Sequence, residues 1–320
     1  MPAPESGVTI GRPDLGVLAY EHMGDAAANG FIADEVLPVF DTAKKDSQFP
    51  KLPREAFLKV PNTKRAARGS YNRADYSFDM DSYLCEEDGW EEVVDDSEAA
   101  LYSRFFDAEA IATMRAMNII MRAREKRVAD AVFNATTFSA NGVTNEWDDA
   151  ANATPLLDVK AGKIAIRNAT GLIPNTLIIS YSTFLDLGLA AEVLNRIKYT
   201  NPNVTAGEIP VSLLAQYFGV ERVLVGGAVL DATAKGKSMV TATDLWSKEY
   251  AMLCYINSSS DLMAPTLGRT FLWTEDSPGM LNVETYRDET VRGDVVRVRQ
   301  STDEKLLHVA CGYLLSNITT

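Results

Sequence analysis

Histidine is almost absent from this 320-residue chain, with His22 and His308 its only two. A Ser-His-Asp or Cys-His arrangement would have to use one of them, and neither lies near a G-x-S-x-G turn. His308 sits in an apolar strand-like run, where a structural role is the ordinary one. Cysteine is scarce too: Cys85, Cys254 and Cys311 lie far apart, and no C-x-x-C occurs. That excludes a disulfide framework and a zinc knuckle, and fits a reducing compartment. No apolar run approaches the ~20 residues needed to span a bilayer. The opening MPAPESGVTIGRPD has neither a basic n-region nor an apolar h-region, so a signal peptide is not expected. The Asn-x-Ser/Thr triplets at Asn134, Asn152, Asn168 and Asn317 are therefore read as chance. Basic excess is missing as well. The net charge of −13 argues against a protein that grips nucleic acid tightly.

Ligand-binding glycine patterns are also lacking. AKGKS (234–238) resembles the end of a P-loop, but Asp231 stands where the first glycine should be, and no helix pattern follows. Gly226-Gly227 lacks the third glycine of a dinucleotide fingerprint. The acidic stretches 85–92 (CEEDGWEE) and 147–150 (WDDA) lack the D-x-D-x-D-G spacing of a calcium loop and read as solvated or salt-bridged surface. The expectation is no catalytic residue, no cofactor and no metal.

What is present is ordinary in bulk, at 46% apolar and 23% charged, and unusual in arrangement. Residues 1–50 read as an arm, with short apolar groups separated by Gly, Pro and polar runs. Residues 51–84 read as a long hairpin: Tyr76, Phe78 and Met80 alternate with polar residues, and 56–60 (AFLKV) is the expected opposing strand. Charge is sorted along this excursion. Residues 51–73 hold seven Lys or Arg and one Glu, whereas 75–98 hold eleven Asp or Glu and no Lys or Arg. A helix free of Gly and Pro is predicted over about 98–134, ~40–50 Å long at ~1.5 Å per residue. Its expected apolar face is Phe106, Ala110, Met114, Met117, Met121, Val128 and Val132. Arg104, Arg115, Arg122 and Lys126 share a different, narrow arc.

Past a polar loop, Pro155 opens a helix stopped by Gly171. An α/β run follows: strand 176–180, helix 183–199 with a break at Gly188, a helix stopped by Gly219, and strand 221–230. The end is strand-like, with turns expected at Gly293-Asp294 and Thr302-Asp303. Val296 and Val298 alternate with Arg297 and Arg299, a sheet with one wet face. Ordering costs ~1–2 kcal/mol per residue of backbone. An arm and a hairpin this thin in large apolar groups would need burial from other chains. The hairpin is thus expected to be an intersubunit strap, its basic limb lying against an acidic band on the next subunit.

The order of these parts, with the stretches 30–40 (GFIADEVLPVF), 124–134 (REKRVADAVFN), 174–187 (PNTLIISYSTFLDL), 193–200 (VLNRIKYT), 220–229 (VERVLVGGAV) and 284–300 (ETYRDETVRGDVVRVRQ), resembles the major capsid proteins of tailed bacteriophages with the Hong Kong 97-type fold. The resemblance covers nearly the whole chain. It implies an α+β chain with an N-terminal arm (1–50), an E-loop hairpin with acidic return (51–97), and a spine helix with the first part of a peripheral domain (98–170). An axial domain (171–268) and peripheral strands (269–320) complete it.

The resemblance further implies a non-enzymatic virion protein, assembled in the host cytoplasm as pentamers and hexamers into an icosahedral shell around double-stranded DNA. Scaffold, portal and decoration proteins would be its partners, with no membrane. Interface residues would be Lys59, Lys64, Arg65, Arg68, Arg73, Tyr76, Phe78 and Met80. Weak, non-specific DNA contact would fall to Arg115, Arg122 and Lys126. Some members join an E-loop lysine to a neighbour's asparagine. Lys51, Lys59 and Lys64 lie in the right region, but lysine is common in loops and cross-linking is not expected. The rival readings are an encapsulin-like shell around protein cargo and a soluble α/β enzyme built on 171–268.

Overall fold

A computed structural model describes residues 10–12, 15, 29–51, 58–65, 67–73, 79–103, 107–200, 209–231, 233 and 242–319. It is a mixed α+β structure with two main sheets among the described residues. The first is organised on one long strand, Gly293–Leu306. One edge of this strand pairs with Glu86–Asp95, and it also pairs with Asn282–Asp288 and Gly268–Trp273, all antiparallel. Ile10–Gly11 adds to Asn282–Asp288, and Val39–Thr42 runs parallel beside Gly268–Trp273. The second sheet has the order Asn141–Gly142, Gly312–Ser316, Ala251–Cys254, Thr176–Ser180, Arg222–Gly226. It therefore takes strands from either side of 171–268, and the helix Pro155–Thr170 packs against it.

The long helix is Ala108–Val132, 25 residues, or about 37 Å. It is shorter than expected because a separate helix, Asp96–Tyr102, precedes it. The break has a local cause. The Asp107 carboxylate accepts from the backbone N–H of Glu109 at 3.0 Å, capping a fresh N-terminus. Asp95 does the same for the shorter helix through Ser97 N–H at 2.8 Å. Phe106 of the expected apolar face lies outside the described residues. The face that is buried runs through Ala112, Ala116, Met117, Ile120, Val128, Ala129 and Val132. Its first half packs on Val283, Val296 and Val298 of the first sheet, and its second half on Leu37, Ile178, Trp246 and Met252. The helix therefore joins the two sheets.

Three sequence expectations are corrected. The strand opposite Asp79–Leu84 is Asp46–Lys51, not 56–60, with Lys51 facing Asp79 and Asp46 facing Leu84. The inward side of this ribbon carries Phe49 and Tyr83. Tyr83 stacks on Phe271 at 4.4 Å, which fixes the register and turns Met80 out to solvent. Thr302-Asp303 is not a turn; the strand runs through it to Leu306, because Thr302 pairs with both Leu272 and Glu86. Third, part of 1–50 finds its burial within its own chain. Phe31, Ile32, Val36 and Leu37 are buried in the core beside Trp246 and Met252. The stops predicted at Gly171 and Gly219 are present, each left-handed, with φ of 73° and 61°.

Candidate functional surfaces

The tip of the excursion, 58–73, is held by contacts within itself. Lys64 N–H donates to Asn62 Oδ1 at 3.0 Å, Asn72 Nδ2 to Asn62 O at 2.6 Å, and Arg65 Nε to Gly69 O at 2.6 Å. The Arg65 guanidinium lies 4.9 Å from the Tyr71 ring centre. Arg68 takes the left-handed turn at φ 67°. Outwardly the tip offers Val60, 95% exposed, Tyr71, 71% exposed, and the cations Lys59, Lys64, Arg65, Arg68 and Arg73. None of the five forms an ion pair among the described residues. Met80, at the root, is exposed; Tyr76 and Phe78 lie outside the described residues.

The acidic return is the strand Glu86–Asp95. The chain's own arginines neutralise much of it: Asp88 meets Arg127 at 3.0 Å, Glu91 meets Arg297 at 2.7 Å and Glu92 meets Arg115 at 3.7 Å. Arg297 and Arg299, expected on a wet face, are thereby in pairs, Arg299 also with Glu284 at 2.8 Å. Beside this strand lies a groove of about 500 Å³, lined among others by Leu84, Glu86, Asp88, Arg127, Asp303, Glu304 and Lys305.

The described residues on the narrow basic arc of the long helix each have a partner of their own. Arg115 is paired as above, with its side chain 67% exposed. Arg122 donates to Val229 O and lies over the Phe31 ring. Lys126 meets Asp130 at 2.6 Å, one turn on. Arg104 lies outside the described residues.

More consequential charges sit on the buried arc. Both Glu125 oxygens are used: Oε1 accepts from Ile32 N–H at 2.9 Å and from Trp246 Nε1 at 2.7 Å, and Oε2 from Ala33 N–H at 2.9 Å. Burial raises its pKa above the ordinary value of 4.5, and the three donors only partly offset this. Arg124 reaches Asp34 at 2.6 Å and Glu304 at 3.6 Å. Burial works to raise Glu304 as well, but the bidentate grip of Arg127 prevails and holds it below 4.5. Sequence reading passed over these residues. The available signal was positional: 124 and 125 fall between Met117, Met121, Val128 and Val132, where an ion is buried and must be matched.

No arrangement of catalytic groups emerges among the described residues. Among the described residues no three of His, Cys, Asp and Glu cluster as a metal site, and no helix is long and apolar enough to cross a membrane. Cys85, Cys254 and Cys311 are all buried and form no disulfide. Burial pushes Cys85 up to about 11 and Cys254 further in the same direction. His308 is buried just before the turn Val309–Cys311, and the 234–238 loop and His22 lie outside the described residues.

Two sheets bridged by a long helix, with a charge-sorted excursion standing off them, define a capsid-shell fold. A phage-related protein from Bordetella bronchiseptica matches it with a TM-score of 0.68 at 20% identity, over 97% of this chain and 98% of that one. An encapsulin from Synechococcus elongatus matches at a TM-score of 0.50 and 13% identity, over 89% and 86%. No protein-family profile matches the sequence. The major capsid protein of Burkholderia phage BcepMu is 28% identical over 297 residues, covering 90% of this chain and 91% of that protein. That of Pseudomonas phage JBD67 is 23% identical over 304 residues, covering 91% and 93%. The chain is a homologue of phage major capsid proteins.

Proposed function

We propose that this chain is the major capsid protein of a tailed double-stranded DNA phage, assembling as pentamers and hexamers into an icosahedral head. The observation that carries the reading is the excursion tip, a preorganised, cationic, solvent-facing segment whose hydrogen bonds among the described residues stay within itself. Such a segment has a use when another subunit lies under it. In this reading 51–97 is the E-loop with its return, the long helix is the spine, the unit around 171–268 is the axial domain, and the sheet on Gly293–Leu306 is peripheral. Scaffold, portal and decoration proteins are its partners, and the virion is its location.

DNA contact is weak and non-specific, since among the described residues of that arc Arg122 and Lys126 are engaged close by within the chain and Arg115 has the looser partner Glu92 at 3.7 Å. Expression of the protein followed by light scattering and electron microscopy tests the proposal. Closed shells are expected; a stable monomer that never associates sinks it. The encapsulin-like reading keeps the shell and changes the contents, so particles filled with a protein cargo and free of nucleic acid would replace one reading by the other.

A further inference from the structure

The groove beside the acidic strand is short of positive charge. Its walls carry Glu86, Asp88, Asp303 and Glu304 against Arg127 and Lys305. Both cations are already committed. Arg127 is held by Glu304 at 2.8 Å and by Asp88 at 3.0 Å, and Lys305 by Asp81 at 2.6 Å. Glu86 has no ion pair among the described residues. The Asp303 carboxylate accepts the backbone N–H of Leu84 at 3.0 Å and no side-chain donor. Burial raises the Asp303 pKa, and the nearby Glu304 and Glu86 raise it further. The strand Glu86–Asp95 borders the same groove and pairs on one side only, with Gly293–Leu306, so its other backbone edge is unpaired among the described residues. Leu84 adds exposed apolar surface to its lining.

The tip has the opposite deficit. Its five cations form no ion pair among the described residues, and Val60 and Tyr71 stand in solvent beside them. The two roots of the excursion part company: Leu58 lies against Gly171, at the end of the helix Pro155–Thr170 on the second sheet, whereas Ser82, Tyr83 and Leu84 of the returning strand line the groove.

We propose that this groove receives the cationic tip of a second copy of the chain, with Lys64, Arg65 and Arg68 set against Glu86 and Asp303. The proposal rests on the shell reading and names the seat of the strap. A planar guanidinium suits a site lined by carboxylates at different angles, and it fixes register where a flat apolar contact would slide.

Carbodiimide, which joins an amine to a carboxylate with loss of water, tests it on assembled particles. Peptide mass spectrometry of gel-separated products is expected to find Lys64 joined to Glu86 or Asp303 only in bands heavier than the monomer. Such a link in the monomer band, or particles that yield none, overturns the groove assignment and leaves the shell reading standing; absence of particles overturns both. Charge exchange gives an independent reading. The pair Arg65→Glu with Arg68→Glu is expected to lower particle yield about tenfold, and Glu86→Lys with Asp303→Lys by a similar factor. All four together restore it, and a combined variant no better than either pair overturns the assignment.

Discussion

Residues 29–51 and 58–73 are both broken by Pro and Gly. In the fold they differ completely. The first is fastened into the core and the second touches little beyond itself. Part of the difference is their own: the first carries Phe31, Ile32, Val36, Leu37, Val39, Phe40 and Phe49, the second Leu58, Val60 and Tyr71. The rest lies outside both segments. Glu125, some ninety residues further on, takes the two backbone N–H groups of Ile32 and Ala33, and Arg124 beside it takes Asp34. Val36 and Leu37 are then set in the core and Val39–Thr42 in register beside Gly268–Trp273. Among the described residues nothing comparable reaches 58–73. Whether a sparse segment becomes core or strap depends on whether distant residues satisfy its backbone.

The strongest way to break that contrast is to remove the fastener. Glu125→Ala leaves three buried N–H donors without an acceptor. At about 1–3 kcal/mol for each, less what water recovers, a loss of roughly 3–5 kcal/mol is expected in denaturant unfolding of the dissociated chain. Proteolysis should then begin within 29–51. A variant with wild-type stability and no new cleavage there would show that apolar packing alone holds the segment.

A smaller effect is expected at the entry to the same segment. Gly30 has φ 74°, and a Cβ there would stand 2.6 Å from the Gly227 carbonyl carbon. Gly30→Ala therefore combines left-handed strain with a backbone collision, and about 2 kcal/mol of destabilisation is expected by thermal unfolding. Gly279→Ala is the control: φ is 78° but the space is empty, so strain alone, ~1 kcal/mol, should be lost.

Acid should act on the two sheets and on the fastener with opposite signs. For Asp81 and Asp276 burial is the largest influence and works upward, but hydrogen bonds from Lys305 and Arg299 prevail, so both sit below their ordinary 3.8. Glu304 likewise sits below 4.5. Their contribution is complete above the ordinary values and is lost as pH falls through the lowered ones, below about 4. Glu125 has the opposite sign. Its raised value means that the ionised form is penalised in the fold, so the penalty disappears as pH falls towards 4.5 from above. Asp303, raised by burial, adds in the same sense. Unfolding midpoints should thus rise slightly from neutral to mildly acidic pH and drop below about 4. In Glu125→Ala the mildly acidic rise should shrink while the drop persists.

The parts of this fold legible in the sequence are those whose causes are local. Gly171 and Gly219 stop helices wherever they stand, Pro155 opens one, and an apolar run such as 176–180 is a buried strand. The long helix was visible from its composition, but its start was not, because the 96–107 stretch is equally good helix former and only the Asp107 cap decides. The hairpin register was misread for a related reason. Alternation at Tyr76, Phe78 and Met80 favoured one strand partner, whereas the stack of Phe49, Tyr83 and Phe271 selects another, and Phe271 is nearly two hundred residues away. The strap stood out by its sorted charge. The groove could not, since Glu86 and Asp303 meet only when Thr302 pairs beside Glu86 in the sheet.

The smallest effect on folding should come from the tip, and that makes it informative. Arg65→Ala with Arg68→Ala removes one hydrogen bond and one ring contact, both confined to 65–71 and both facing solvent. The unfolding midpoint of the dissociated chain should not move measurably. Assembly should move: particles should form more slowly and fall apart at lower salt, because the lost charges act between subunits and are screened within about 10 Å at 0.1 M ionic strength. Size-exclusion profiles across a salt series read both quantities from one preparation. A loss of monomer stability would mean that the tip belongs to its own core after all, and unchanged salt tolerance of the particles would mean that its charges face nothing. Either result would erase the distinction between the two segments.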